Sequence, residues 1–95
     1  MAHIVELSDE ARQDLAGLRA FDRSAVAKEM LTVLSVNPTL KSNSRIKLLE
    51  QPAPTQYRLR VGDVRVFYDV RNDGSVWVKR VMYKEMAQIY GRTQP

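Results

Sequence analysis

Between Tyr57 and Val61 apolar and basic residues alternate, with Tyr57, Leu59 and Val61 set against Arg58 and Arg60, and the alternation resumes from Val64 to Val70. A period of two marks a half-buried strand. Gly62-Asp63 separates the runs, and glycine at the first central position suits a two-residue primed turn between antiparallel strands. That turn fixes a register. Val61 faces Val64, Arg60 faces Arg65, Leu59 faces Val66, Arg58 faces Phe67 and Tyr57 faces Tyr68. One face then carries Tyr57, Leu59, Val61, Val64, Val66 and Tyr68, and the other carries Arg58, Arg60, Arg65 and Phe67. A second turn, at 71–75, leads into a third strand. With Asp73-Gly74 as a two-residue loop, Val70 faces Trp77, Phe67 faces Arg80 and Arg65 faces Met82, so Arg80 joins the basic face. A three-residue loop would instead turn the side chains of the third strand over.

The same pattern organises the rest of the chain. His3 to Leu7 reads as a short strand ending at Ser8, a good helix N-cap, with Asp9 and Glu10 where a helix dipole favours anions. Ala11, Leu15 and Leu18 recur at helical spacing, which predicts a helix over 9–19. Asp22 or Ser24 can cap a second helix whose apolar face is Val26, Met30, Val33 and Leu34. It stops by Val36, because Asn37 precedes a proline. Residues 39–45 read as a loop, 46–49 as a short strand flanked by Arg45 and Lys47, 51–56 as an irregular crossing, and 83–92 as a last helical turn or two. The whole is one α+β domain over 1–95: an N-terminal strand, a two-helix hairpin, an antiparallel β-meander and a short C-terminal helix. The helices pack on the apolar sheet face and leave the arginine face exposed.

Composition narrows the chemistry. There is no cysteine, which removes disulfides, thiolate metal sites and thiol nucleophiles, and the lone His3 leaves no multi-histidine metal site. No metal or cofactor is expected. No apolar run approaches the roughly 20 residues of a membrane span, and the N-terminus lacks a signal-peptide pattern, so a cytoplasmic protein is expected. Charge is uneven: 1–43 carries five Lys/Arg against six Asp/Glu, whereas 44–95 carries ten against five. The half with the strands is the basic half, which points to an anionic partner, either nucleic acid or an acidic peptide.

Directly opposed residues on one sheet face have Cβ atoms about 5 Å apart, and like charges placed so are destabilising. Arg60 opposite Arg65 is such a pair. Either the long side chains splay into water, or an anion belongs between them.

Three blocks, ELSDEARQDLAGL, YRLRVGDVRVFYDV and VKRVMYKEMAQIY, carry a likeness that spans almost the full chain. The chain resembles the RelE/ParE superfamily of toxins from type II toxin-antitoxin pairs. The resemblance implies a RelE-like microbial RNase fold and, for the RelE branch, a metal-independent, ribosome-dependent endonuclease that cuts mRNA and halts translation. The ParE branch shares the fold and acts on DNA gyrase. The catalytic positions of the RelE branch fall on Arg58, Arg60, Arg65, Lys84 and Tyr90, which favours the nuclease branch. Arg45, Lys47, Phe67 and Arg80 are the further candidates for RNA binding. The likeness departs in one respect: arginines stand at 58 and 60 where that branch has lysines, and Lys84 stands where it has an arginine.

In such a reaction three guanidiniums would hold the phosphoryl oxygens, Lys84 would serve as acid or base, and Tyr90 would stack on or orient a base. Read without the likeness, Lys84 is a surface lysine and Tyr90 packs a C-terminal turn. The resemblance also implies a cognate antitoxin that binds operator DNA in the hetero-oligomer, with the ribosome and mRNA as targets. Exposed apolar helix surface and an unpaired sheet edge would receive the antitoxin. Three readings remain: an mRNA endonuclease, a gyrase inhibitor working by protein contact, and a catalytically weak binding module.

Overall fold

Ser8 starts the first helix as its chemistry dictates: its Oγ accepts from Ala11 N at 3.0 Å, and Asp9 and Glu10 fill the first turn. The computed structural model describes residues 2–40 and 45–91, so most of the expected loop at 39–45 and Arg92 lie outside the described residues. The elements are β1 (Val5–Leu7), α1 (Asp9–Ala16), α2 (Ala20–Glu29), a π-helical turn (Met30–Leu34), β2 (Ile46–Leu48), β3 (Tyr57–Val61), β4 (Val64–Val70), β5 (Val76–Tyr83) and α3 (Lys84–Tyr90). The α+β arrangement follows the sequence reading. The sheet runs β1-β5-β4-β3-β2, with β1 parallel to β5 and every other pairing antiparallel.

Both helix boundaries differ from expectation. α1 ends at Ala16, where Gly17 closes it, and α2 begins after Arg19 without a side-chain cap, so neither Asp22 nor Ser24 is its N-cap. Asp22 instead lies in the first turn and accepts from the Tyr83 hydroxyl at 2.8 Å. Val26, Met30 and Leu34 are buried as the helical spacing predicts, and the helix is over by Ser35.

The β3–β4 register is the predicted one at every position, Tyr57↔Tyr68 through Val61↔Val64. Gly62 takes φ +58° at the first central position of the turn, where a side chain would be strained. The next hairpin departs from expectation. Arg71 N bonds to Ser75 O at 2.8 Å around Asn72-Asp73-Gly74, so Val70 faces Val76 and not Trp77. A bulge then inserts Lys79 between the Tyr68↔Val78 and Phe67↔Arg80 pairs, which restores the expected partners of Phe67 and Arg65. Burial explains the bulge: Val76 and Val78 share core parity, and only an extra residue lets Val81 turn inward while Arg80 turns out.

The core lies between the helices and the face bearing Leu59, Val64, Val66, Tyr68, Val78 and Val81. The opposite face is not wholly open, as had been expected. α3 lies against it, and Phe67 there is 1% exposed beneath Tyr90, ring centroids 4.9 Å apart at 72°.

Tyr68 ties core to loop by donating from its hydroxyl to Pro38 O at 2.6 Å, and burial pushes its phenol pKa well above the ordinary tyrosine range. Replacing it with phenylalanine should cost about 1–3 kcal/mol at neutral pH by leaving that carbonyl without its partner. The folded phenol keeps its proton where an unfolded one, with a pKa of about 10, loses it. Stability from this group is therefore full below that pH and falls as pH rises above it. Urea titrations across the alkaline range should show a shallower decline in Tyr68→Phe than in the parent. Ser8 also donates to Lys79 O at 2.8 Å, so Ser8→Ala loses both the cap and a bond to the bulge. Thermal or urea melts should show a loss of about 1–2 kcal/mol.

Candidate functional site

Strand pairing sets basic side chains opposite one another in two rows across the face away from the core. Lys47 on β2 is opposite Arg58 on β3, and Arg60 on β3 is opposite Arg65 on β4. Arg60 N also bonds to Arg45 O at 2.8 Å, which extends the second row to the residue before β2. Strands stand about 4.8 Å apart, so these charges are close neighbours.

A cleft of about 240 Å³ opens on this face, lined by Lys47, Arg58, Arg65, Phe67 and Lys84, with Ala87, Gln88 and Gly91 from the C-terminal end. Burial, followed by the positive charges of Arg65 and Arg60, holds the Arg58 guanidinium below its ordinary pKa. Arg65 is lowered in the same way, first by burial and then by Arg60, with Asp63 and Glu85 acting against the shift. Arg58 Nε is buried without a hydrogen-bond partner. A buried cationic donor left unpaired is costly, and an anion in the cleft would relieve both that cost and the repulsion.

The cleft is held from two sides. Arg65 Nη1 donates to Gly62 O at 2.9 Å and to Val64 O at 3.1 Å, which anchors the guanidinium to the β3–β4 turn. Lys84 N donates to Asp63 O at 2.8 Å, and Lys84 Nζ lies 3.6 Å from Asp63 Oδ1. Both side chains of that ion pair are largely exposed, so it is weak and can be displaced by an anion.

The other candidates divide. Arg60 is exposed and lines a separate hollow with Lys28, Glu29 and Arg45, where Arg45 Nη1 lies 3.3 Å from Glu29 Oε1. Arg80, expected as a free cation of the RNA face, is gripped by Asp14 through Nε at 2.7 Å and Nη2 at 3.1 Å, and this bond raises its pKa. The reason is the bulge: Val81 N also donates to Asp14 Oδ2 at 3.0 Å, so α1 caps the irregular backbone and takes Arg80 with it. Tyr90, expected beside the arginines, lines a different groove of about 540 Å³ between α1, β5 and α3. There it packs edge-on to Phe67 with the Arg80 guanidinium 5.6 Å above its ring, and burial raises its pKa. Phe67 lines the cleft, but α3 covers its ring. A Cβ on Gly91 would lie 3.1 Å from Ala87 O and 3.3 Å from Phe67 Cε1, so a larger residue would crowd this approach.

Periodicity missed Asp63, Asp14 and Lys28. Asp63 was nonetheless derivable, because pairing Val64 with Tyr83 puts Lys84 beside the turn. No local signal marks Asp14 or Lys28, which depend on how helices sit against the sheet.

Residues 5–88 match the family of ParE toxins of the type II toxin-antitoxin system parDE. Among solved structures, the RelBE2 toxin-antitoxin complex from Mycobacterium tuberculosis matches at 23% identity, covering 87% of this chain and 99% of the other, with a TM-score of 0.73. A mutant of the E. coli toxin RelE in the free state matches at 22% identity over 95% and 92% of the two chains, with a TM-score of 0.70. The RelB–RelE complex from Methanococcus jannaschii matches at 22% identity over 88% and 95%, with a TM-score of 0.62. At these identities the likeness is one of fold. No curated protein matches by sequence. The chain belongs to the ParE toxin family of type II toxin-antitoxin systems, within the RelE/ParE superfamily whose fold it shares.

Proposed function

We propose that this toxin is a metal-independent endoribonuclease acting on mRNA at the ribosome. The observation that carries the reading is the single cleft shared by Arg58, Arg65 and Lys84, in which Arg58 Nε is buried and unpartnered. The ribose 2′-hydroxyl passes its proton to solvent water as its oxygen attacks the adjacent phosphorus, the bond to the 5′-oxygen breaks, and a 2′,3′-cyclic phosphate forms. Negative charge grows on the phosphoryl oxygens as this happens. Arg58 and Arg65 bind those oxygens with charge-assisted hydrogen bonds, and Arg60 adds charge from the adjoining row. Lys84 gives a proton to the leaving 5′-oxygen, and Asp63 positions it until substrate arrives. Arginine stays protonated, so Arg58 and Arg60 stabilise charge and do not act as base. Tyr90 acts through Phe67, whose ring it fixes beside the cleft.

A cognate antitoxin follows from this reading, and exposed Phe21 and Leu31 on one side and Met86 and Ile89 on α3 supply apolar surface for it. A second reading, inhibition of DNA gyrase by protein contact, is favoured by the ParE family match itself.

In a translating extract, primer extension should map cuts in message, and Arg65→Ala should lose about 2 kcal/mol or more of transition-state stabilisation. Unchanged cutting by a folded Arg65→Ala protein would sink the clamp. Intact message with blocked supercoiling would give the site to the gyrase reading. Lys84→Ala should also slow cleavage, and a substrate with sulfur at the leaving 5′ position, which needs no proton, should restore it. Arg65→Ala should gain nothing from that substrate. Equal rescue of both variants, or of neither, would remove Lys84 from the role of acid.

A further inference from the structure

Arg60 belongs to two places at once. On β3 it stands in the row with Arg65 beside the cleft, and it also lines the hollow of about 420 Å³ that reaches α2, bounded by Ala25, Lys28, Glu29, Arg45 and Gly62. Three cations thus surround one carboxylate, and Glu29, whose side chain is 21% exposed, is held 3.3 Å from Arg45. The remaining lining is Ala25, Val61 and Gly62, which leaves one short apolar side chain and no deep apolar pocket of the kind that a peptide's anchoring side chains require. Along a strand, residues on one face repeat about every 6.6–6.8 Å, and across strands about every 4.8 Å. Lys47, Arg58, Arg60, Arg65 and Arg45 therefore form a regular array of charge, suited to a polymer that carries one negative charge per unit.

We propose that the hollow formed by Lys28, Arg45 and Arg60 around Glu29 is a second phosphate subsite for single-stranded RNA. It takes the backbone of the substrate as it leaves the cleft. The subsite rests on the endoribonuclease reading of the cleft and adds to it a direction for the bound strand, from Lys84 across β4 and β3 toward α2. Lys28 is its distal cation. Glu29 holds Arg45 in place while the hollow is empty and opposes the phosphate when it enters, so its removal strengthens binding.

Binding of 2′-O-methyl RNA, which cannot be cut, tests this on the purified toxin with oligonucleotides of about three and about ten nucleotides. The parent should bind the longer strand more tightly. Lys28→Gln should weaken only the longer strand, about threefold or more, and reduce the slope of log affinity against log salt by about 0.7. Glu29→Gln should act in the opposite direction on the same strand. Arg60→Gln, between the two sites, should weaken both lengths. The subsite is overturned if Lys28→Gln and Glu29→Gln leave the longer strand unaffected, if they change both lengths equally, or if the parent binds neither. It is overturned as an RNA site if polyglutamate of matched charge shows the same sensitivity to both variants. Cleavage that persists without any effect of Lys28 or Glu29 removes the subsite alone. Absent cleavage with the length dependence intact removes the nuclease reading, and the hollow then stands only as an RNA-binding site and not as a substrate subsite.

Discussion

Like charges opposed across neighbouring strands set the terms for this molecule. Lys47 against Arg58 and Arg60 against Arg65 are arrangements a sheet tends to avoid, and burial first, then the charges of the neighbouring arginines, lowers the pKa of Arg58 and Arg65. The opposite face of the same strands offsets it: Leu59, Val64, Val66 and Tyr68 are fully buried there or nearly so, and a one-residue slip in pairing would undo that burial. Apolar packing on one side thus holds the cations together on the other. The arrangement stores a preference for an anionic ligand in the folded state itself.

The N-terminal elements decide which cations remain available. Ser8 bonds to the backbone of Lys79, and Asp14 takes both the Arg80 guanidinium and the amide of Val81, so the first helix is sewn to the bulged strand. Arg80 is thereby neutralised within the fold, while Arg58, Arg60 and Arg65 make no ion pair among the described residues. Sequence position alone would rank these arginines alike. What separates them is whether a carboxylate from a helix reaches them.

Much of the fold was legible because its signals are local. Glycine followed by aspartate between two alternating runs determines the β3–β4 register, and a serine before two acids determines where α1 begins. The rest required the tertiary structure. Turn chemistry at 71–75 cannot reveal that Val81 must face inward, and this requirement, not the turn, places the bulge at Lys79. Likewise the spacing of α3 says that it is helical but not which sheet face it covers, so Tyr90 was expected beside the arginines and stands behind Phe67. Of the candidate site, the strand residues were readable from alternation, whereas Lys84 was named only by the family resemblance and read otherwise as a surface lysine; the structure puts it in the same cleft. Of the carboxylates, Asp63 lies in the turn between β3 and β4 and was derivable from the pairing, whereas Asp14, which withdraws Arg80, comes from α1 and has no local signal.

The sheet ends on either side in a strand of only three residues, β1 and β2, each carrying a charged residue at its middle position, Glu6 and Lys47. Long flat margins invite backbone pairing with other copies, and short charged ones discourage it. A chain with this many outward apolar side chains is therefore protected at its borders from growing into fibrils by strand stacking.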